Sequence, residues 1–229
     1  MLTAEQIDEN RQRFLDLISG IGIEGANIGA LINWLENKSD FFYAPASTRY
    51  HCSYEGGLCQ HSLNVYDELE KLAADVTEDK TIKIPEERDS DGNVIVEEHE
   101  ETVKTPAYSE DTIRIVSLLH DISKANFYEK YMRNVKNEVT GQWEKVPEFR
   151  TRDESARFIY GSHEATSEYM ARTFIPLSVE ESVAIMHHHA GMSFDSTKED
   201  VAQVFNRYPL ATMLHMADMT ATFLRERKG

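Results

Sequence analysis

Ser117-Leu118-Leu119-His120-Asp121-Ile122-Ser123-Lys124 decides how the chain is read. An apolar run from Ile113 to Leu119 ends in a His-Asp pair, and a lysine follows three residues later. Adjacent side chains on a helix point about 100° apart and normally do not share a face. At a helix end they can still converge on one ion, because a metal collects ligands from several directions. Taken alone, the pair reads first as a buried histidine hydrogen-bonded to its neighbour, and the rest of the chain changes that balance.

Other residues repeat the setting. His61 opens a helical segment after Gly56-Gly57-Leu58-Cys59-Gln60. His163 follows Gly161-Ser162 at a helix start, and His187-His188-His189 close the segment that begins near Val179. Asp218 sits inside Leu214-His215-Met216-Ala217-Asp218-Met219. A carboxylate buried there is costly unless it is paired or bound to a cation. Imidazoles and carboxylates from five helices make a cage of the kind helical proteins build. Their mixture suits one or two ions of Mn, Fe, Co, Ni or Zn, with Mg as a further option.

The rest of the chain reads as helix-dominated. Thr3-Ala4-Glu5-Gln6 has capping-box form and opens a helix that stops at Gly20. Further helices are expected over Ala26–Asn37, Leu58–Val76, Ser109–Asp121, His163–Phe174, Val179–His188 and Pro209–Arg225. Residues 77–106 are acidic and poor in large apolar groups. There Asp89-Ser90-Asp91-Gly92-Asn93 is a turn between the β-leaning segments Thr81–Ile84 and Val94–Val96. Residues 131–152 make a second hairpin candidate, turning at Thr140-Gly141-Gln142. The expectation is an all-α helical bundle, one domain over 1–229, with N-terminal helices over 1–39 and one or two small inserted β-hairpins.

Composition narrows the function. The net charge is −16, from 24 Lys+Arg against 40 Asp+Glu, which disfavours long polyanions but not a small phosphorylated substrate at a bound cation. Two cysteines without CxxC spacing suit a reducing compartment, so a cytoplasmic location is expected. No stretch approaches membrane-spanning length, so no membrane partner is expected. Oligomeric state is not readable.

The order His61, His120-Asp121, His163, His188, Asp218 resembles the HD-domain metal-dependent phosphohydrolase superfamily over about residues 50–224. Tyr54-Glu55-Gly56-Gly57-Leu58-Cys59-Gln60-His61-Ser62-Leu63 is similar to the Gly-Gly-Leu-x-x-His-Ser/Thr segment of bacterial HD proteins, a 3′–5′ exoribonuclease group among them. Asn134-Val135-Lys136, Gly141-Gln142-Trp143 and Leu214–Asp218 resemble a subgroup of bacterial and phage HD hydrolases. The resemblance implies an HD-type helical bundle in which His61, His120, Asp121 and Asp218 hold one divalent metal. Asp121 would bridge to a second metal held by His163 and His188, with His189 as a further candidate ligand. His187 and His215 are expected to support rather than bind.

His-Asp-x-x-Lys lacks the acidic pair of the (p)ppGpp hydrolases. Ala190-Gly191-Met192 replaces the Gly-Tyr-Pro box of the cyclic-di-GMP group. The resemblance makes Asp121 and Lys124 the expected catalytic pair, with Lys124 contacting a phosphate oxygen or aiding proton transfer. The implied activity is metal-dependent hydrolysis of a nucleotide or cyclic-nucleotide phosphoester. The alternatives are a di-iron oxygenase, a 3′–5′ exonuclease on short oligonucleotides, and a non-catalytic nucleotide-binding module.

Overall fold

The computed structural model describes residues 1–189 and 201–227. Segment 190–194, which distinguishes the chain from the cyclic-di-GMP group, lies outside the described residues.

The N-terminal signals act locally. The Thr3 hydroxyl accepts from the Gln6 amide while the Gln6 side chain accepts from the Thr3 amide, and α1 (Ala4–Ser19) follows. Its inner face buries Phe14 against Phe41 and Phe42, with ring centroids 4.8 and 5.7 Å away. Asn27 caps α2 (Ile28–Asn37), which buries Leu31 and Leu35.

The long helix α3 (Gly57–Ala74) is the centre of the packing. It begins where the backbone comes very close to the loop before it. A Cβ on Gly57 would lie 2.0 Å from the Cys52 carbonyl oxygen, and Gly56 takes φ +81°. Only glycine tolerates both demands. Against α3 lie α4 (Glu110–Leu119), capped by Ser109, and α8 (Pro209–Thr220), which continues into a wide turn over Ala221–Arg225. Between them come α5 (His163–Arg172), α6 (Val179–Met186) and the short α7 (Val201–Arg207). Ser178 and Glu181 form a second capping box at α6. The apolar side chains of α3 and α4, including Leu58, Leu63, Leu69, Ile115 and Leu118, are fully or almost fully buried.

The expectation of an all-α bundle does not hold. Among the described residues, 47% are helical and 18% lie in strands. The six strands of the described residues form three two-stranded sheets, so the architecture is mixed. The strands are longer than their weak alternation suggests. β1 (Thr77–Ile84) pairs antiparallel with β4 (His99–Pro106) over eight residues, from Thr77 opposite Pro106 to Ile84 opposite His99. β2 (Glu87–Arg88) and β3 (Val94–Val96) pair nearer the tip, where the Asp89–Asn93 turn stands as expected. Thr81–Ile84 therefore does not pair with Val94–Val96. Closure of the tip turn pairs β3 with β2 and leaves the outer residues to meet each other.

The second ribbon, β5 (Tyr128–Lys136) with β6 (Trp143–Thr151), is regular over nine pairs. Its base is fastened to the helical body. Asn126, at φ +58°, accepts from the Asp40 amide, and Arg152 pairs with Asp40 at 2.9 Å. No helix among the described residues is long and apolar enough to cross a membrane.

Two glycines give opposite expectations in denaturant unfolding. Gly57→Ala should destabilise the protein by about 1–3 kcal/mol through overpacking against the Cys52 backbone. Gly29→Ala, in α2 with nothing within 4 Å of the new methyl, should stabilise it by up to about 1 kcal/mol.

Candidate metal centre

Helix ends deliver the polar residues to one buried point. His61 lies in the second turn of α3. His120 caps the C-terminus of α4, and Asp121 precedes a single tight turn over Ile122–Lys124. His163 is the first residue of α5, His188 and His189 follow the end of α6, and Asp218 projects from α8. His61, His120, Asp121, His188 and Asp218 are all buried.

Asp121 joins two groups of donors. Its Oδ2 lies 3.6 Å from His61 Nε2 and 3.4 Å from His120 Nε2, and Asp218 Oδ1 lies 3.3 Å from the same His61 nitrogen. Its Oδ1 lies 3.7 Å from His163 Nε2 and 3.7 Å from His188 Nε2. His189 Nε2 reaches Asp218 Oδ2 at 3.5 Å. Donors about 2.1 Å from a tetrahedral metal stand roughly 3.4 Å apart, so these spacings are those of a ligand shell. Clusters His61-His120-Asp218, His120-Asp121-His188 and His163-His188-His189 each bring their donor atoms within 4.8 Å of one another.

Hydrogen bonding sets the tautomers. His120 Nδ1 lies 2.7 Å from the Ser117 carbonyl, and His188 Nδ1 lies 2.7 Å from the Ile185 carbonyl. Each histidine thus donates to an orphan carbonyl at its helix C-terminus. His61 Nδ1 faces Glu226 at 3.1 Å, and His189 Nδ1 faces Glu164 at 3.1 Å. With the Nδ1 protons so engaged, the Nε2 lone pairs turn inward. His61 Nε2 and His120 Nε2 then stand 3.3 Å apart, which requires a proton or a cation between them. Asp121 Oδ1, His163 Nε2 and His188 Nε2 are buried with no hydrogen-bond partner. Such orphaned atoms are expected where a ligand completes the site. The residues fit a divalent metal.

The electrostatics agree. Burial alone would raise the Asp121 carboxyl, but Lys124 and His120 hold it well below the usual range. Burial likewise opposes the charge on His61, yet Glu226 and Asp218 raise it to about 10. A field that favours an imidazolium this strongly also favours a metal cation. Burial dominates at His163 and lowers it to about 3, so it presents a neutral imidazole.

All of the sequence-predicted ligands, His61, His120, Asp121, His163, His188 and Asp218, come together here, and His189 joins them. Lys124 Nζ lies 2.6 Å from Asp121 Oδ2. His215 Nδ1 reaches the His188 carbonyl at 2.6 Å and fixes the turn that carries it. Three residues were not singled out from the sequence. Glu226 holds His61 and accepts from Asn64 Nδ2 at 2.8 Å. Glu164 is buried, 3.2 Å from His163 Nδ1 as well as bonded to His189. His51 packs 4.6 Å from the His61 ring, and burial lowers it to about 4. Of these only Glu164, beside His163 at a helix start, carried a local signal.

No model of a known protein family matches the chain, and neither does any curated protein or solved structure.

Glu226→Gln should weaken Co²⁺ or Zn²⁺ affinity about 10–100-fold, measured by competition with a chromogenic chelator. The same substitution tests a pH effect. Burial raises the Glu226 carboxyl, but His61 and Asn64 outweigh it and lower it from 4.5 to about 2. The unfolded chain therefore binds this proton more readily. The metal-free protein should keep this stabilisation above about pH 4.5 and lose it as the pH falls toward 2, with a shallower loss in the variant.

Proposed function

We propose that the protein is a metal-dependent phosphohydrolase of the HD type, acting on a small phosphoester such as a nucleotide. The observation that carries this reading is Asp121. One buried carboxylate faces a donor group on each of its oxygens and has a lysine three residues away. A pair of divalent metals in such a site supplies an activated water and neutralises phosphate charge.

The chain's own residues account for the remaining requirements. Asp121 and Asp218 present carboxylate oxygens toward both donor groups. Glu226 orients His61, and Glu164 orients His189. The partly exposed members are His163 (28%), His189 (27%) and Lys124 (12%), so the substrate approaches from their side. Burial opposes the charge on Lys124, but Asp121 and Tyr128 raise its pKa, so it stays an ammonium. In a largely water-excluded position it would bind a non-bridging phosphate oxygen and add positive charge as the transition state forms. This lysine favours phosphate over dioxygen chemistry. The net charge of −16 favours a small substrate over a long nucleic acid.

The test is hydrolysis of bis-p-nitrophenyl phosphate and p-nitrophenyl phosphate by chelator-stripped protein with Mn²⁺, Fe²⁺, Co²⁺, Ni²⁺, Zn²⁺ or Mg²⁺ returned singly. Asp121→Asn should lose both metal binding and turnover. Lys124→Met should keep the metal and lose about 10²-fold or more in kcat. A fully active Asp121→Asn protein overturns the reading, and iron-dependent dioxygen uptake without phosphoester turnover replaces it with oxygenase chemistry.

A further inference from the structure

Beside the metal centre lies a cavity of about 270 Å³ that has His163 in its wall, with Ser123, Phe127, Arg157, Phe158 and Thr166 around it. Small-molecule sites usually measure roughly 300–1,000 Å³, so this one suits part of a ligand whose remainder lies elsewhere. Phe127, Arg157 and Phe158 also border a second cavity of about 440 Å³, which Trp34, Tyr169 and Phe174 line as well. The approach to His163 is therefore lined with aromatic rings.

Two features of this wall call for a ligand. The first is exposed aromatic surface. Phe158, in the wall, is 56% exposed, and Tyr160, outside the lining on the same irregular stretch between the Glu154–Ala156 turn and α5, is 57% exposed. Tyr160 stacks on Tyr169 with centroids 4.5 Å apart, and Phe158 meets the same ring at 5.8 Å. The stretch is held in place, because the Tyr160 amide donates to Thr166 Oγ1 at 3.0 Å.

The second is Arg157. Its guanidinium lies 4.8 Å over the Phe127 ring, and its Nε is buried without a hydrogen-bond partner. The chain has 40 acidic residues against 24 basic ones, yet among the described residues no carboxylate pairs with Arg157. A planar cation and exposed rings around a slot are the elements that stack and hydrogen-bond nucleobases.

We propose that this cavity is the base-binding half of the substrate site. It would take a nucleoside phosphate, with the base against Phe158 and Arg157 and the scissile phosphate toward His163 and Asp121. The proposal rests on the phosphohydrolase reading for its phosphate end only, which allows the two to be tested apart.

Saturation-transfer NMR and affinity titration of the chelator-stripped full chain, with adenosine 5′-monophosphate and ribose 5-phosphate as probes, make the test. The probes share the phosphate and differ by the base. The adenine protons should receive the strongest saturation, and the nucleotide should bind about tenfold or more tightly than the sugar phosphate. Phe158→Ala and Arg157→Gln, both outside the metal cage, should each remove most of that preference and leave ribose 5-phosphate unchanged.

Equal affinity for the two probes, no nucleotide binding at millimolar concentration, or a preference that survives both substitutions overturns the proposal. Base-dependent binding in a protein that hydrolyses no phosphoester with any metal keeps the base site and sinks the hydrolase reading. Metal-dependent turnover without base preference does the reverse.

Discussion

The structure depends on one buried carboxylate. Asp121 is 1% exposed, and taking an ion out of water costs several kcal/mol unless partners surround it. Its Oδ2 meets Lys124, His61 and His120, while its Oδ1 meets His163 and His188. These partners come from α3, α4, the turn after it, α5 and the end of α6. The positions of five chain segments are therefore coupled through one side chain.

The support around the partners follows the same logic at one remove. Ser117 and Ile185 offer carbonyls that their helices cannot use internally, and the two histidines that follow take them up. Glu226 arrives from 165 residues away to meet His61. Tautomer, ring orientation and the field at the centre are thus set by groups behind the histidines rather than by the histidines themselves.

This division explains what could be read from the sequence. The first helix start was legible at Thr3-Gln6 because a capping box is a four-residue device. His61, His120, Asp121, His163, His188 and Asp218 were legible because polar groups in or beside apolar helical segments are anomalous. Glu226 was not, since in Arg225-Glu226-Arg227-Lys228 it resembles any solvated charge. His51, in an irregular loop, gave no pattern either. The fold class went astray at the ribbons. Their turns are written locally, but a strand such as His99–Pro106, with Val103 as its one aliphatic residue, carries almost no hydrophobic alternation. Their length is set by pairing across the ribbon rather than by a buried face. The seven expected helices stand, α7 (Val201–Arg207) adds one that carried no expectation, and the cage is untouched by the error because neither ribbon supplies a donor to the centre.

The first ribbon has a consequence for the history of the chain. Thr77 and Pro106 sit opposite each other in register, so the polypeptide leaves α3 and returns toward α4 through adjacent points. Everything between is largely exposed. A segment with neighbouring entry and exit points can be exchanged, shortened or enlarged by recombination while the helices on either side keep their relation. It is a natural graft position. The scaffold can acquire new surface there without renegotiating the chemistry it encloses.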